Sequence, residues 1–376
     1  MQQDALFYWL ALWRMEGLGP SRIATLLQYF GDAKSAFNAP LRQLATLIPE
    51  EIAQRFTPNT ENHHRLLKGV ETDLAWHNAS NQHHIISWQN TEYPILLKNI
   101  ASAPPILFIK GHLSVLQQLQ IGIVGTRHPT MTGRSDAHAF AQQLAQQGWT
   151  ITSGLAQGID ACAHEGALSA PGYTIAVLAH GLDSIYPSRH NELANKVCEQ
   201  GALVSEFPIG TAPHPQLFPR RNRVISGLSR GVLVVEAAQR SGSLVTARYA
   251  IEQNREVFAI PGSIHNPVAK GCHELLRQGA CLTESIADIT QVLGLLTPTI
   301  NAIAASTEVK TPSVELPTEL SENELYLYKL LKSEMTSIDY LVENSALSPA
   351  AVSALLTLLE MKGYVQAISG GYCRAP

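Results

Sequence analysis

Charge is scarce in this sequence. Of 376 residues only 15% are Asp, Glu, Lys or Arg, and the formal net charge is −4. That excludes a protein that coats nucleic acid through a globally basic surface, though not a local basic patch. Cysteine is scarcer: Cys162, Cys198, Cys272, Cys281 and Cys373 make five, none in a C-x-x-C pair. Scattered and odd in number, they read as free thiols in a reducing cytoplasm, not as a disulfide framework or a structural zinc site. No apolar run approaches the roughly 18 residues of a membrane-spanning helix. Met1-Gln2-Gln3-Asp4 has neither the basic region nor the apolar core of a signal peptide. A cytoplasmic location without membrane contact is therefore expected. G-x-G-x-x-G and G-x-x-x-x-G-K-[ST] are both absent, which disfavours dinucleotide and P-loop nucleotide chemistry.

What is present suits a folded chain. Hydrophobic residues make up 45%, enough for a sizeable core, and the length allows about two to three domains. Charge is uneven along the chain. Residues 1–115 carry nine basic and nine acidic side chains, 116–284 carry 13 and 12, and 285–376 carry five and ten. The segment 1–100 reads as helical, with helices at Leu6–Trp13, Ser21–Phe30 and Pro49–Phe56. The segment 297–317, rich in Ala, Thr, Ser and Pro without periodicity, reads as a linker. The pairs His63-His64 and His83-His84 read as surface residues.

The middle segment, 101–296, alternates strand and helix. Buried-strand runs are Ile121–Val124, Thr150–Thr152, Thr174–Leu178, Ala202–Val204, Gly231–Val235 and Val257–Ile260. Helical patterns lie between them at Ser135–Gln147, Ile159–Leu168, Arg189–Gln200, Pro219–Leu228 and Leu244–Gln253. Continuous rather than alternating apolar strands imply a parallel sheet covered on both faces. The fold class is then α/β: a doubly wound, mostly parallel, Rossmann-like sheet. Ligands of such sheets bind beyond the carboxyl ends of the strands, so the loops after the strands carry the functional expectation.

After the first strand comes Gly125-Thr126-Arg127-His128-Pro129-Thr130-Met131-Thr132-Gly133. Gly125 and Gly133 permit close backbone approach, Thr130 and the coming helix N-terminus offer donors, and Arg127 offers a bidentate grip on phosphate. An ordinary strand–helix turn also favours Gly, Thr and Pro. After the second strand comes Ser153-Gly154-Leu155-Ala156-Gln157-Gly158-Ile159-Asp160. Ser153, Gly154 and Gly158 extend the same rim, and Asp160 reads as a helix cap. Asp160 and His164, four apart, could share a helix face as metal ligands, but no third ligand is evident and no metal is expected.

The densest signal is Phe218-Pro219-Arg220-Arg221-Asn222-Arg223 at a helix start, where the dipole favours anions. From Phe218 to Arg255 there are seven Arg, two Glu and no Lys or Asp. Arginine beside an exposed aromatic is how single-stranded nucleic acid is held, by phosphate contacts and base stacking. Alternatively this is a solvated charged helix with Phe218 in the core. The turn Ser241-Gly242-Ser243, with Thr246, adds further donors at a helix start. Gly227-Leu228-Ser229-Arg230-Gly231 matches the G-x-S-x-G elbow, but a helix precedes it and a strand follows, the reverse of what that elbow needs. No paired-carboxylate acid/base set is found, so no catalytic residue and no cofactor is assigned.

These motifs together resemble the DprA/Smf family of DNA-processing proteins. The likeness covers most of 121–284 through Gly125–Gly133, Ser153–Asp160 with Ala163–Leu168, Phe218–Ser229, Val234–Thr246 and Pro261-Gly262. The resemblance implies an extended Rossmann-like domain that binds single-stranded DNA, dimerises and loads RecA recombinase during natural transformation. It would place Arg127 in a phosphate pocket, Phe218 beside the DNA, and Arg221 with Asn222 on the phosphate path. Two departures are visible. His214-Pro215-Gln216-Leu217 stands where many relatives have a lysine, and Gly271-Cys272-His273 where a G-x-N is common.

The flanks resemble family accessories. Met15–Arg22 resembles the hairpin of a helix-hairpin-helix, or SAM-like, module, and a plain packing turn fits it equally. Residues 318–376 resemble a winged helix; lying in an acidic region, this one is expected to contact protein rather than DNA. Two rival functions remain. The Gly/Thr-rich loops are similar to those of Rossmann-like nucleotide hydrolases of the lysine-decarboxylase-like family, which act on nucleoside monophosphates; Glu236 or Asp160 would then be the catalytic carboxylate. A pure protein scaffold is the other.

Overall fold

The computed structural model describes residues 2–294, 321–331, 336, 338–345, 347–362, 364–368 and 371–374. The expected linker, 297–317, lies outside the described residues. The chain divides into two compact units, Met1–Ile300 and Asn301–Pro376.

The first unit is built on one nine-stranded sheet. Its strands are β1 His83–Ser87, β2 Ile106–Gly111, β3 Gln120–Val124, β4 Thr150–Ser153, β5 Thr174–Leu178, β6 Gly201–Ser205, β7 Gly231–Val234, β8 Glu256–Ala259 and β9 Cys281–Leu282. Helices α1 Gln2–Arg14, α2 Pro20–Phe30, α3 Ala33–Phe37, α4 Leu41–Leu47, α5 Glu50–Ala53 and α6 Glu61–Asn78 precede the sheet, and α7 Ile95–Lys98 follows β1. Then come α8 Met131–Gln146, α9 Ile159–Leu168, α10 Asn191–Gln200, α11 Leu217–Leu228, α12 Ser243–Glu252, α13 Lys270–Arg277 and α14 Ile286–Leu293. The strand order is β1-β2-β6-β5-β4-β3-β7-β8-β9. From β6 to β9 all pairings are parallel, while β1 and β2 add on antiparallel.

The apolar strand runs are continuous because both faces are covered. Ile121 and Ile123 of β3 and Leu233 of β7 pack with α8 and α9 residues such as Ala141, Leu144 and Ile159. Val124, Val232 and Val234, one pleat over, pack with Val224 and Ile225 of α11 and Ala247 of α12. Alternate side chains of one strand thus enter opposite cores.

The chain does not divide at 100/101 as expected. Strand β1 belongs to the main sheet, and α1 and α2 share one core with Ile106, Phe108, Ala176, Leu178 and Leu203 of the sheet. Polar ties reinforce this. Arg14 donates to both oxygens of buried Asp73 at 2.6 and 2.7 Å, and to Ile209 O at 2.9 Å; Trp13 Nε1 donates to Glu206 O at 2.7 Å. The Met15–Arg22 hairpin is a packing turn: Met15 and Leu18 are buried, Gly17 O accepts from Arg22 Nη1 at 2.6 Å, and Gly19 N donates to Gly17 O at 3.2 Å. His83 is half-buried rather than on the surface; its ring stacks on Trp76 at 4.2 Å.

The second unit comprises α15 Glu322–Leu330, α16 Ile338–Ser345, α17 Pro349–Met361 and the antiparallel hairpin β10 Val365–Ile368 with β11 Gly371–Arg374. A bridge joins Thr336 to Tyr372. Leu327, Leu341, Val352, Leu356, Leu359 and Val365 form its core. Three helices followed by a wing match the expected winged helix. Among the described residues no helix is long and apolar enough to cross a membrane.

Candidate nucleic-acid interface

Strand order fixes where a ligand can enter. The chain runs outward from β3 through β4, β5 and β6, then crosses back to β7 on the other side of β3. This reversal opens a crevice beyond the carboxyl ends of β3 and β7. A cleft of about 540 Å³ lies there. The loop after β3 contributes Gly125 and Arg127, the start of α11 contributes Phe218, Arg221 and Asn222, and the turn into α12 contributes Ser241, Gly242, Ser243 and Thr246. Nine of the sequence-proposed residues are therefore brought together by the topology.

The middle of the cleft is an arginine–aromatic cluster. Arg127 is exposed, and its guanidinium carbon stands 5.4 Å from the Phe218 ring centroid. Arg221 approaches the same ring at 6.0 Å. Guanidinium over an aromatic face is favourable and leaves the outer N–H groups free to donate. Among the described residues Arg127 is in no ion pair, so its charge is open to a ligand.

Arg221 is a floor residue. It is 4% exposed, and its Nη1 donates to Val177 O at 2.7 Å. Burial lowers its pKa to about 10, with the Asp160 charge pulling the other way; it stays cationic at neutral pH. Asp160 is itself buried and accepts from Gly154 N at 3.2 Å and Ala156 N at 3.4 Å. Burial raises its pKa against the attraction of Arg221. Gly154 is required here because a Cβ would lie 1.8 Å from Arg221 Nη1.

Several expected contacts go elsewhere. Arg223 turns inward, is 8% exposed and pairs with buried Glu206 at 2.6 Å. It is an internal ion-pair residue and is withdrawn from the rim. Arg220, three residues earlier on the same helical face, also approaches Glu206, at 3.6 Å, but keeps a side chain 49% exposed. It stands outside the cleft lining, over the Phe207 ring at 5.2 Å. Burial pushes the Glu206 carboxyl above its usual range, and the two arginines oppose that shift.

The anion site expected at the start of α8 holds a protein carboxylate instead. Glu236 accepts from Thr130 N at 2.9 Å and Thr130 Oγ1 at 2.6 Å, while Thr130 Oγ1 accepts from Gly133 N at 3.0 Å as the helix cap. The donors of Thr130 and Gly133 are thus engaged within the chain. Ser153 is fully buried and donates to Ile123 O at 2.6 Å. Gly158, at φ +88°, lets α9 begin directly under the Arg127 loop, where a Cβ would lie 2.5 Å from Thr126 O. Ser153, Gly154 and Gly158 therefore shape the crevice from behind. His164 is no metal partner for Asp160: its Nδ1 bonds Thr174 Oγ1 at 2.7 Å, and burial drops its pKa to about 3. Among the described residues no group of three potential metal ligands gathers.

Two lining features were missed by sequence reading. Tyr186, between β5 and α10, reaches the cleft with its ring 6.0 Å from Phe218. Pro213 and Pro215 form the wall before α11. Tyr186 follows no strand directly, so the rule that selected the other loops does not reach it.

Comparison with known proteins agrees with this architecture. The family "DNA recombination-mediator protein A" matches residues 84–294, more than half of the chain, and "DprA winged helix domain" matches 311–371. Protein Smf of Escherichia coli is 44% identical over 82% of this chain and 81% of its own. The structure of DNA processing protein A from Streptococcus pneumoniae superposes with a TM-score of 0.66 at 33% identity, covering 76% of this chain and 97% of that one. A second, from Helicobacter pylori, described as showing a single-stranded DNA binding mode of DNA processing protein A, has a TM-score of 0.51 at 28% identity, covering 56% and 95%. Family match, relative and fold coincide, and the chain belongs to the DprA/Smf family of DNA-processing proteins.

Proposed function

We propose that this protein is a non-enzymatic mediator that holds single-stranded DNA in the cleft between β3 and β7. It would protect incoming DNA and pass it to a RecA-type recombinase in natural transformation. The observation that carries the reading is the pairing of a free, exposed Arg127 with Phe218 above a buried, still cationic Arg221. Charge for the phosphates and a ring for a base occur within one crevice. Asn222, Ser241, Gly242, Ser243 and Thr246 would supply neutral donors and close backbone approach along the strand, and Arg220 a flanking cation. The Helicobacter pylori relative described as binding single-stranded DNA supports the same ligand. The engagement of Glu236 by Thr130 favours binding over nucleotide hydrolysis, which needs a free carboxylate beside the sugar.

A cytoplasmic location, action as a homodimer, and a protein-contact role for the acidic winged-helix unit complete the reading. Competition between labelled single- and double-stranded oligonucleotides at two salt concentrations tests it. Single strands should win, and log K should fall by about 0.7 per phosphate contact per log unit of salt. Binding without a salt slope, or release of free base from nucleoside monophosphates, would refute it.

A further inference from the structure

The cleft has two aromatic rings, and they are not equally open. Phe218 is half-buried and has three neighbours: the guanidinium of Arg127 at 5.4 Å, that of Arg221 at 6.0 Å, and the Tyr186 ring at 6.0 Å. Tyr186 keeps 48% exposure. It comes from a different connection, between β5 and α10, and meets Phe218 at an interplanar angle of 59°. A base sandwiched between two rings needs them parallel and further apart. A tilted pair in contact instead presents separate faces, one to each of two neighbouring bases.

We infer that Tyr186 is a second base-stacking platform, which seats the base adjacent to the one on Phe218. This deepens the single-strand reading above and rests on it. Every base has a π-face, so the platform is indifferent to sequence. Base faces inside a duplex are already stacked on each other, so Tyr186 discriminates against duplex while the arginines, which see only phosphates, do not. Selectivity for an unpaired strand thus comes from Tyr186 together with Phe218, and affinity for polyanions from Arg127.

The experiment titrates the full-length wild type, Tyr186→Ala and Tyr186→Phe with a labelled oligothymidylate and with an abasic deoxyribose-phosphate oligomer of equal length. Tyr186→Ala should bind the oligothymidylate about five- to 20-fold more weakly, the lower part of the range for losing one stacked base. On the abasic oligomer it should match wild type. Tyr186→Phe should stay within about twofold of wild type on both, because the ring and not the hydroxyl acts. The salt slope should be the same for all three proteins. Equal oligothymidylate affinity of Tyr186→Ala and wild type overturns the inference alone, as does an equal loss on the abasic oligomer. Failure of wild type to bind either strand overturns the single-strand reading and the inference with it. Melting curves of the variants guard against a folding defect, and an exposed substitution should leave them superimposed.

Discussion

Arg223→Ala should unfold the protein more easily without changing how it meets DNA. The side chain sits 9% exposed against a Glu206 side chain that is 1% exposed, at 2.6 Å. Removing one partner of such a pair strands a buried charge and costs about 3–5 kcal/mol. Arg220, at 3.6 Å and half exposed, compensates weakly, which favours the lower half of that range. An unfolding entropy of about 2.1 cal/mol/K per residue, taken over roughly 300 residues, gives about 0.6 kcal/mol/K, so Tm should fall by about 5–6 °C. The sign of the pH dependence follows from Glu206. Its folded pKa is already raised by burial, and loss of Arg223 raises it further. A carboxyl with a raised folded pKa is favourable to folding below its unfolded value and loses that contribution as pH rises through the folded one. The deficit of Arg223→Ala against wild type should therefore be largest near neutral pH and shrink as pH falls toward the carboxylate range. Calorimetry across pH measures this, and oligonucleotide titration across salt measures the rest. An unchanged Tm with a salt slope smaller by about 0.7 would mean that Arg223 meets phosphate and that its inward placement is wrong.

Arg127→Ala should do the converse, lowering the salt slope by about 0.7 while leaving Tm within about 1 °C, as read by anisotropy and melting. The cleft glycines separate packing from contact. Gly154→Ala drives a methyl to within 1.8 Å of Arg221 Nη1 and should reduce both Tm and DNA affinity. Gly242→Ala meets nothing within 4 Å and should leave Tm unchanged; a more than about fivefold loss of affinity would place a DNA backbone against that turn, and no loss would remove the turn from the interface. Thr130→Val removes the α8 cap and the hydroxyl donor to Glu236 and should cost about 1–2 kcal/mol in denaturant unfolding; a change in DNA affinity alone would contradict the internal role.

The parallel strands were legible because burial on both faces leaves unbroken apolar runs, and helix Ile159–Leu168 was read with the bounds found. Of the missed strands β1 lacks that signal, while β2 carries it in Ile106-Leu107-Phe108-Ile109 and went unread directly behind Pro104 and Pro105. Helix α6 carries only a thin stripe, Leu66, Val70 and Leu74, four residues apart, and the stripe is interrupted on its buried face by Asp73, which pairs with Arg14. Strand β1 opens with two half-buried histidines, a pattern that looks like surface until Trp76 supplies a stacking partner. At the site, composition located the right helix but did not separate Arg221, which lines the cleft, from Arg220 and Arg223, which do not. Residues 220 and 223 lie on one face of α11 and 221 on another, and which face meets the cleft depends on Glu206, an acid after a distant strand.

The same logic explains why the run Arg220–Arg223 leaves little free charge inside the cleft, although Arg230, Arg240 and Arg248 of the same +5 stretch stay exposed. Glu206 takes the whole of Arg223 and part of Arg220, and Asp160 faces Arg221 across the crevice floor. Of the two arginines that line the cleft, Arg127 is the exposed one; among the described residues it is in no ion pair, and it lies over a ring. A cleft neutralised in this way cannot bind tightly by charge alone, because each phosphate contact adds only its own counterion-release increment. Affinity must then be shared with base stacking, and stacking is available only to bases that are out of a duplex. Preference for a single strand thus follows from how sparingly the basic charge is exposed: adding cations to the rim, for instance by Gln216→Lys at an exposed position before α11, should raise affinity for both DNA forms and narrow the ratio between them. A widened ratio in the two-salt competition would mean that selectivity is electrostatic after all.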